Sequence, residues 1–343
     1  MLNLRARARD QLFSFFRKLV DHREGRSTVR NAVRDFASPP SELAFLRNVD
    51  SPYVTRTERA NYSNMIVVTG RFRSGSTLLW NLFRHSEEVT AFYEPFNERK
   101  WFSTERRTGV DASHLGVTDY WAEYEGLTQL ARWSDEKWNA RSLYMSESHW
   151  NSSMRNYIND LYNAAPSRPM MQFNRIDFRL GWLRKSFEGL RIVHVYRHPR
   201  DQWCSTLGDL GNVGLTGAFQ DFSTADRFYL TAWVEDLRYR FPFLEDDTHP
   251  YRQFYYLWKL SWLFGQKYAD YSVAFEELVD RPNELLAGLF SGLDLKPLAP
   301  DLVKSLVKPP RLGKWCDYAD DAWFRRHESE CEDTLTRFLA TDC

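Results

Sequence analysis

An apolar, β-branched run, Ile66-Val67-Val68-Thr69, leads through Gly70-Arg71-Phe72-Arg73-Ser74-Gly75-Ser76-Thr77 into Leu78 to Arg84, where the apolar residues fall at helical spacing. That order predicts a strand, a tight loop and a helix packed on a sheet. Gly70 and Gly75 let the backbone turn and approach a ligand closely, and the amides around Ser74 to Thr77 can converge on an anion at the helix amino terminus. Ser76 and Thr77 add hydroxyls, while Arg71 and Arg73 add cations, Arg73 being placed to grip two oxygens at once. Against the nucleotide-loop pattern G-x-x-x-x-G-K-[ST], every fixed position fits except one, because Ser76 stands where the phosphate-gripping lysine belongs. The loop suits an anion but makes a poor ATP loop.

Further strands follow in alternation with helices. Val89 to Tyr93 is a short apolar run ending in Glu94-Pro95-Phe96, and Pro95 stops regular pairing so that an acid sits at the strand's carboxyl end. Met170 to Phe173, Arg191 to Tyr196 and Tyr271 to Phe275 read as three more strands. Helices are expected from Phe178 to Phe187, from Pro199 through Ser205, from Tyr251 to Tyr268 and from Pro282 onward. The pattern predicts an α/β fold, a mostly parallel sheet flanked by helices, with ligand at the carboxyl ends of the strands. Two aromatic-rich stretches, about 97–165 and 208–265, read as helical and loop insertions in a domain spanning 64–343, preceded by an amino-terminal helical segment, 1–63.

Charge excludes some functions. Lysine plus arginine and aspartate plus glutamate both total 46, so no global field draws the chain to nucleic acid or membrane. Cys204, Cys316, Cys331 and Cys343 lie far apart without metal-ligand spacing, and no apolar run approaches the ~20 residues of a membrane span. A reduced, cytoplasmic protein without a metal is the expectation. Leu12, Phe16, Leu19 and Val20 nonetheless fall on one face of a basic helix, which either docks on its own domain or lies peripherally on a membrane surface.

A second anion site is expected where the fourth strand ends in Arg197-His198-Pro199-Arg200. A magnesium nucleotidase normally ends a later strand in a metal-holding aspartate. Here Arg197 leaves the strand, and Ser205 follows roughly one and a half turns beyond Pro199 on the next helix. Arginine and hydroxyl together suit a separate phosphate.

With both sites in view, the chain resembles the sulfotransferases that use 3′-phosphoadenosine 5′-phosphosulfate (PAPS). Arg73-Ser74-Gly75-Ser76-Thr77 is similar to their 5′-phosphosulfate loop, and Arg197 to Asp201 with Ser205 to their 3′-phosphate site. Phe275-Glu276-Glu277-Leu278-Val279-Asp280-Arg281-Pro282 resembles their Tyr-Glu-Asp-Leu segment. Arg311-Leu312-Gly313-Lys314-Trp315 is similar to their basic carboxyl-terminal loop, which helps hold the 3′-phosphate or closes over the cofactor. The resemblance implies a P-loop-like core, sulfuryl transfer to an acceptor with PAP as product, and catalysis by positioning and charge neutralisation, with Arg73 neutralising the bridging oxygen.

The base is either a histidine or a glutamate. Phenol and steroid sulfotransferases carry a Lys-Thr-His segment after the third strand, but the nearest match here is Gln172-Phe173-Asn174-Arg175. Carbohydrate-type and bacterial members resemble this chain in a glutamate after the second strand, which Glu94 matches. A carboxyl buried among Phe92, Tyr93 and Phe96 is suited to accept a proton. The alternative is a strand-end glutamate that caps a loop or pairs with Arg71. By the same resemblance the acceptor is a small molecule, more specifically a hydroxyl on a carbohydrate or glycolipid. A P-loop kinase or nucleotidase, and a non-catalytic nucleotide-binding protein, are the competing classes.

Overall fold

The computed structural model describes residues 61–107, 117–219, 222, 225–245, 249–308 and 310–341. The expected amino-terminal helix lies outside the described residues. Five strands form one all-parallel sheet in the order β2-β3-β1-β4-β5: β1 Ile66–Thr69, β2 Val89–Tyr93, β3 Arg168–Phe173, β4 Arg191–Tyr196 and β5 Tyr271–Ala274. Thr69 lies opposite Phe173 on one side and His194 on the other. β1 is therefore central, and its four residues are all buried, as an apolar run covered on both faces requires.

Helix α1, Ser76–Arg84, buries Ser76, Leu79, Trp80, Leu82 and Phe83, one stripe of the expected period. Trp80 anchors it by donating its indole N–H to the Ala91 carbonyl at 2.8 Å. The β2 to β3 connection ends in α2, Ser152–Ala164, which Asn151 caps by accepting from the Met154 amide. Between β3 and β4 lies α3, Leu180–Ser186, entered through a single 3₁₀ turn at Asp177–Arg179. After β4 comes α4, Pro199–Leu207, started by a proline whose missing N–H costs nothing in a first turn. Helices α5, Leu230–Leu237, and α6, Pro250–Tyr268, precede β5. Helices α7 Phe275–Asp280, α8 Pro282–Gly292, α9 Pro300–Leu306 and α10 Asp321–Thr341 complete the chain.

Of the helices in the two stretches expected as insertions, α2 and α6 supply the crossovers a parallel sheet demands. α6 presses on the sheet at Gly265, where a Cβ would collide with the His194 ring. Between 97 and 139 the described residues form turns and short 3₁₀ helices, and the rings of Trp101, Tyr120, Tyr124 and Trp138 join the sheet core. A second apolar cluster unites Phe72, Trp203, Trp233, Tyr251 and Phe324, tying α4, α5, α6 and α10 together. Among the described residues no helix is long and apolar enough to cross a membrane.

The connections diverge at one place. From β1 the chain leaves toward β2, and from β4 it leaves toward β5, so their carboxyl ends open a crevice between them. A Cβ on Gly70 would strike the Val195 carbonyl across it, which is why the loop begins with glycine.

Candidate active site

All five strand ends deliver residues to one cleft of about 470 Å³. β1 contributes the loop, β2 Glu94, β3 Asn174 and Arg175, β4 Arg197, and β5 Phe275. Of the residues expected from sequence, Arg73, Gly75, Ser76, Thr77, Glu94, Arg197, Ser205 and Lys314 line it together.

Gly75 caps α1 at φ 97°, a left-handed conformation, and its missing Cβ makes room for the Phe275 ring. Arg197 lies over the same ring, 4.8 Å from its centre. The two anion elements touch: Arg73 Nε donates to Ser205 Oγ at 3.1 Å. Arg197 is only 7 % exposed, and its Nε has no hydrogen-bond partner. Burial pulls its guanidinium below the ordinary value, with Asp201 and Glu276 opposing. A buried, half-satisfied guanidinium beside a hydroxyl fits a phosphate.

Glu94 is buried, at 4 % exposed, but the expected apolar surround is corrected by its partners. Asn174 donates to Oε1, while Asn97 Nδ2, at 2.8 Å, and Arg175 donate to Oε2. The ion-pair partner is Arg175, not Arg71. Burial works against the Arg175 charge, yet the Glu94 and Glu98 carboxylates outweigh it and hold that guanidinium above its usual value. Glu98 in turn sits below the usual carboxylate range: burial raises it, but Arg175 together with hydrogen bonds from its own backbone amide, Tyr229 and Asn139 more than reverses that. Tyr229 closes this corner, its hydroxyl pushed up to about 12 by burial and by Glu98.

Arg73, Glu94 and Tyr229 are three of the six non-glycine residues with positive φ among the described residues, at 66°, 39° and 62°. Strain gathered at one cleft marks a functional site.

Four expected residues lie elsewhere. Arg71 is diverted away from the cleft, because its guanidinium stacks on Trp233 at 4.3 Å and lines a separate small pocket with Trp203 and Phe254. Burial lowers it to about 10, against the pull of Asp177 and Asp226. The Ser74 hydroxyl is fully buried inside the loop. Arg311 is exposed and pairs with Asp317 at 2.9 Å. Gly313, at φ 75°, donates its amide to Asp201 at 2.9 Å and so turns the loop that carries Lys314. The sequence reading missed Asn174 and Arg175, which stand one and two residues beyond β3. The signal was available, since polar residues just past a buried parallel strand reach the same edge as Glu94 and Arg197 do.

A family model described as the sulfotransferase family matches residues 65–300. The chain belongs to that family. No curated protein matches the sulfotransferase in sequence. Among solved structures it is similar to a sulfotransferase domain from the curacin biosynthetic pathway, at 15 % identity over 80 % of this chain and 96 % of that one, with a TM-score of 0.39. A sulfotransferase from Alicyclobacillus acidocaldarius shares 15 % identity over 70 % and 88 % of the two chains, TM-score 0.36. Sulfotransferase STF9 from Mycobacterium avium shares 12 % over 82 % and 77 %, TM-score 0.42. Likenesses this distant bear on no residue's role. In the sulfotransferase itself, the cleft brings the guanidinium groups of Arg73 and Arg197 together with a buried carboxylate, Glu94.

Proposed function

We propose that the sulfotransferase moves a sulfuryl group from PAPS to an acceptor hydroxyl on a carbohydrate or glycolipid. The observation that carries this reading is the Arg73 to Ser205 contact at 3.1 Å, which joins the two anion elements on one cleft wall with Glu94 on the same cleft. A ligand with anions at both ends fits that wall better than a triphosphate. Arg73 and the amides opening α1 would hold its 5′ end; Arg197, Ser205 and Lys314 would hold its 3′-phosphate. Bound there, PAPS supplies an activated sulfuryl group on a phosphate that gains charge as it departs.

The chain's own residues then have defined tasks. Arg73 neutralises charge at the 5′ end. Glu94 takes the acceptor's proton on Oε1, a reading supported by its donors: Oε2 accepts from both Asn97 and Arg175, whereas among the described residues Oε1 accepts from Asn174 alone and keeps a lone pair. Trp101, Tyr120, Phe228 and Tyr229 on the cleft wall offer flat apolar faces suited to a sugar ring. Phe72 belongs to one apolar cluster and Tyr93 to the other, and both line the cleft, which supports residues 64–343 acting as one catalytic unit.

Transfer of labelled sulfate from PAPS into fractionated carbohydrate and glycolipid acceptors tests the reading. Glu94→Gln is expected to cost about 10² to 10⁴ in turnover while keeping PAP affinity, and Arg73→Ala to lose both. Near wild-type turnover in Glu94→Gln removes the base assignment. Magnesium-dependent ATP hydrolysis without sulfate transfer overturns the whole reading.

A further inference from the structure

Ser76 occupies the position where a nucleotide loop carries its lysine, yet its hydroxyl proton is already committed within the protein. Oγ donates to Asn174 Oδ1 at 2.7 Å and accepts from Gln172 Nε2 at 3.1 Å. Gln172 also donates to Asn174 Oδ1, at 2.8 Å. Two donors on Oδ1 turn the Asn174 amide so that its Nδ2 faces Glu94 and donates to Oε1. Ser76 and Gln172 are 3 % and 0 % exposed, so these bonds are shielded from solvent and correspondingly strong.

The chain of bonds therefore runs from the first residue of α1 to the carboxylate oxygen that retains a lone pair. Its other end sits on a backbone at φ 39°, a conformation an acidic side chain does not hold unaided. Asn97 and Arg175 hold Oε2 alone. Asn174 is the contact that ties Oε1 to the anion loop. A lysine at position 76 would put a cation into this buried chain and break it, whereas a hydroxyl both accepts and donates.

We propose that Ser76 and Asn174 are positioning residues that hold the base against the anion loop, and that Ser76 serves proton transfer rather than anion binding. The proposal rests on Glu94 as the base. It leaves the anion to the loop's amides and Arg73, and it gives the missing lysine a chemical reason: the position has changed task.

The test measures PAP affinity by calorimetry, and kcat and KM with PAPS, for Ser76→Ala, Ser76→Thr, Asn174→Ala and the Ser76→Ala/Asn174→Ala double variant, beside Glu94→Gln. Ser76→Ala is expected to lower kcat about 10²-fold, the cost of misplacing a reacting group by roughly 1 Å, with PAP affinity unchanged. Ser76→Thr keeps the hydroxyl and restores kcat. The double variant falls no further than Asn174→Ala alone, because both cut one chain. Loss of PAP affinity with kcat kept in Ser76→Ala overturns the proposal, as do losses that multiply in the double variant. If Asn174→Ala fails to fold, the Ser76→Ala and Ser76→Thr pair decides. An inactive Glu94→Gln beside a fully active Ser76→Ala refutes the positioning role alone; an active Glu94→Gln refutes the base and this proposal with it.

Discussion

The base corner and the carboxyl-terminal loop both present charged groups to the same cleft, and they are built in opposite ways. Around Glu94, the Arg175 pair is 3 % and 5 % exposed, and every carboxylate oxygen has a protein donor. Around Lys314, Arg311 and Asp317 are 65 % and 44 % exposed, and the loop is tied down by the Gly313 amide on the Asp201 carboxylate and by the Trp315 ring against Arg200 and Phe324. Charges taken out of water must be fully partnered or the fold suffers; charges left in water contribute little to the fold and remain available to a ligand. The difference separates a corner whose charges are held by one another from a loop whose charges face solvent.

That contrast can be broken by substitution. Arg175→Ala leaves Glu94 as an uncompensated buried charge and is expected to cost about 3–5 kcal/mol of stability, read from a denaturant titration. A cost below about 1 kcal/mol would erase the distinction. Asp201→Ala removes the acceptor of the Gly313 amide and is expected to cost about 1–3 kcal/mol, with faster hydrogen exchange confined to the 310–318 loop. Exchange that rises equally across the sheet would show that Asp201 is not a local latch. Lys314→Ala is expected to change stability by less than about 0.5 kcal/mol while weakening PAP binding, more at low salt than at high. Calorimetry at two ionic strengths reads both. The smallest effect belongs to Arg311→Ala: about 0–1 kcal/mol for its exposed ion pair, and unchanged PAP affinity. If Arg311 proved as important to PAP as Lys314, the loop would have to close further over the cleft than the structure shows.

Much of the architecture is legible in the chain because its signals are local. Ile66–Thr69, Val89–Tyr93 and Arg191–Tyr196 are apolar runs bounded by glycine, proline or charge, and the strands lie where those boundaries put them. Pro199 and Pro282 open helices for the same reason. Phe275 was expected to end a strand but begins α7, since an apolar residue at the boundary satisfies either pattern.

The site divides along the same line. Gly70 to Thr77, Glu94 and the Arg197 to Ser205 spacing could be read from order and residue type, because a parallel sheet carries the end of each strand to one edge. Two neighbouring arginines in one loop could not be told apart, and packing sent Arg73 to Ser205 and Arg71 to Trp233. Nor could the partner of Glu94, which lies 81 residues away. By itself the sequence determined which segments reach the cleft; the tertiary structure alone decided which of their groups line it and which are spent on each other, because that choice depends on burial and distance between segments far apart in the chain.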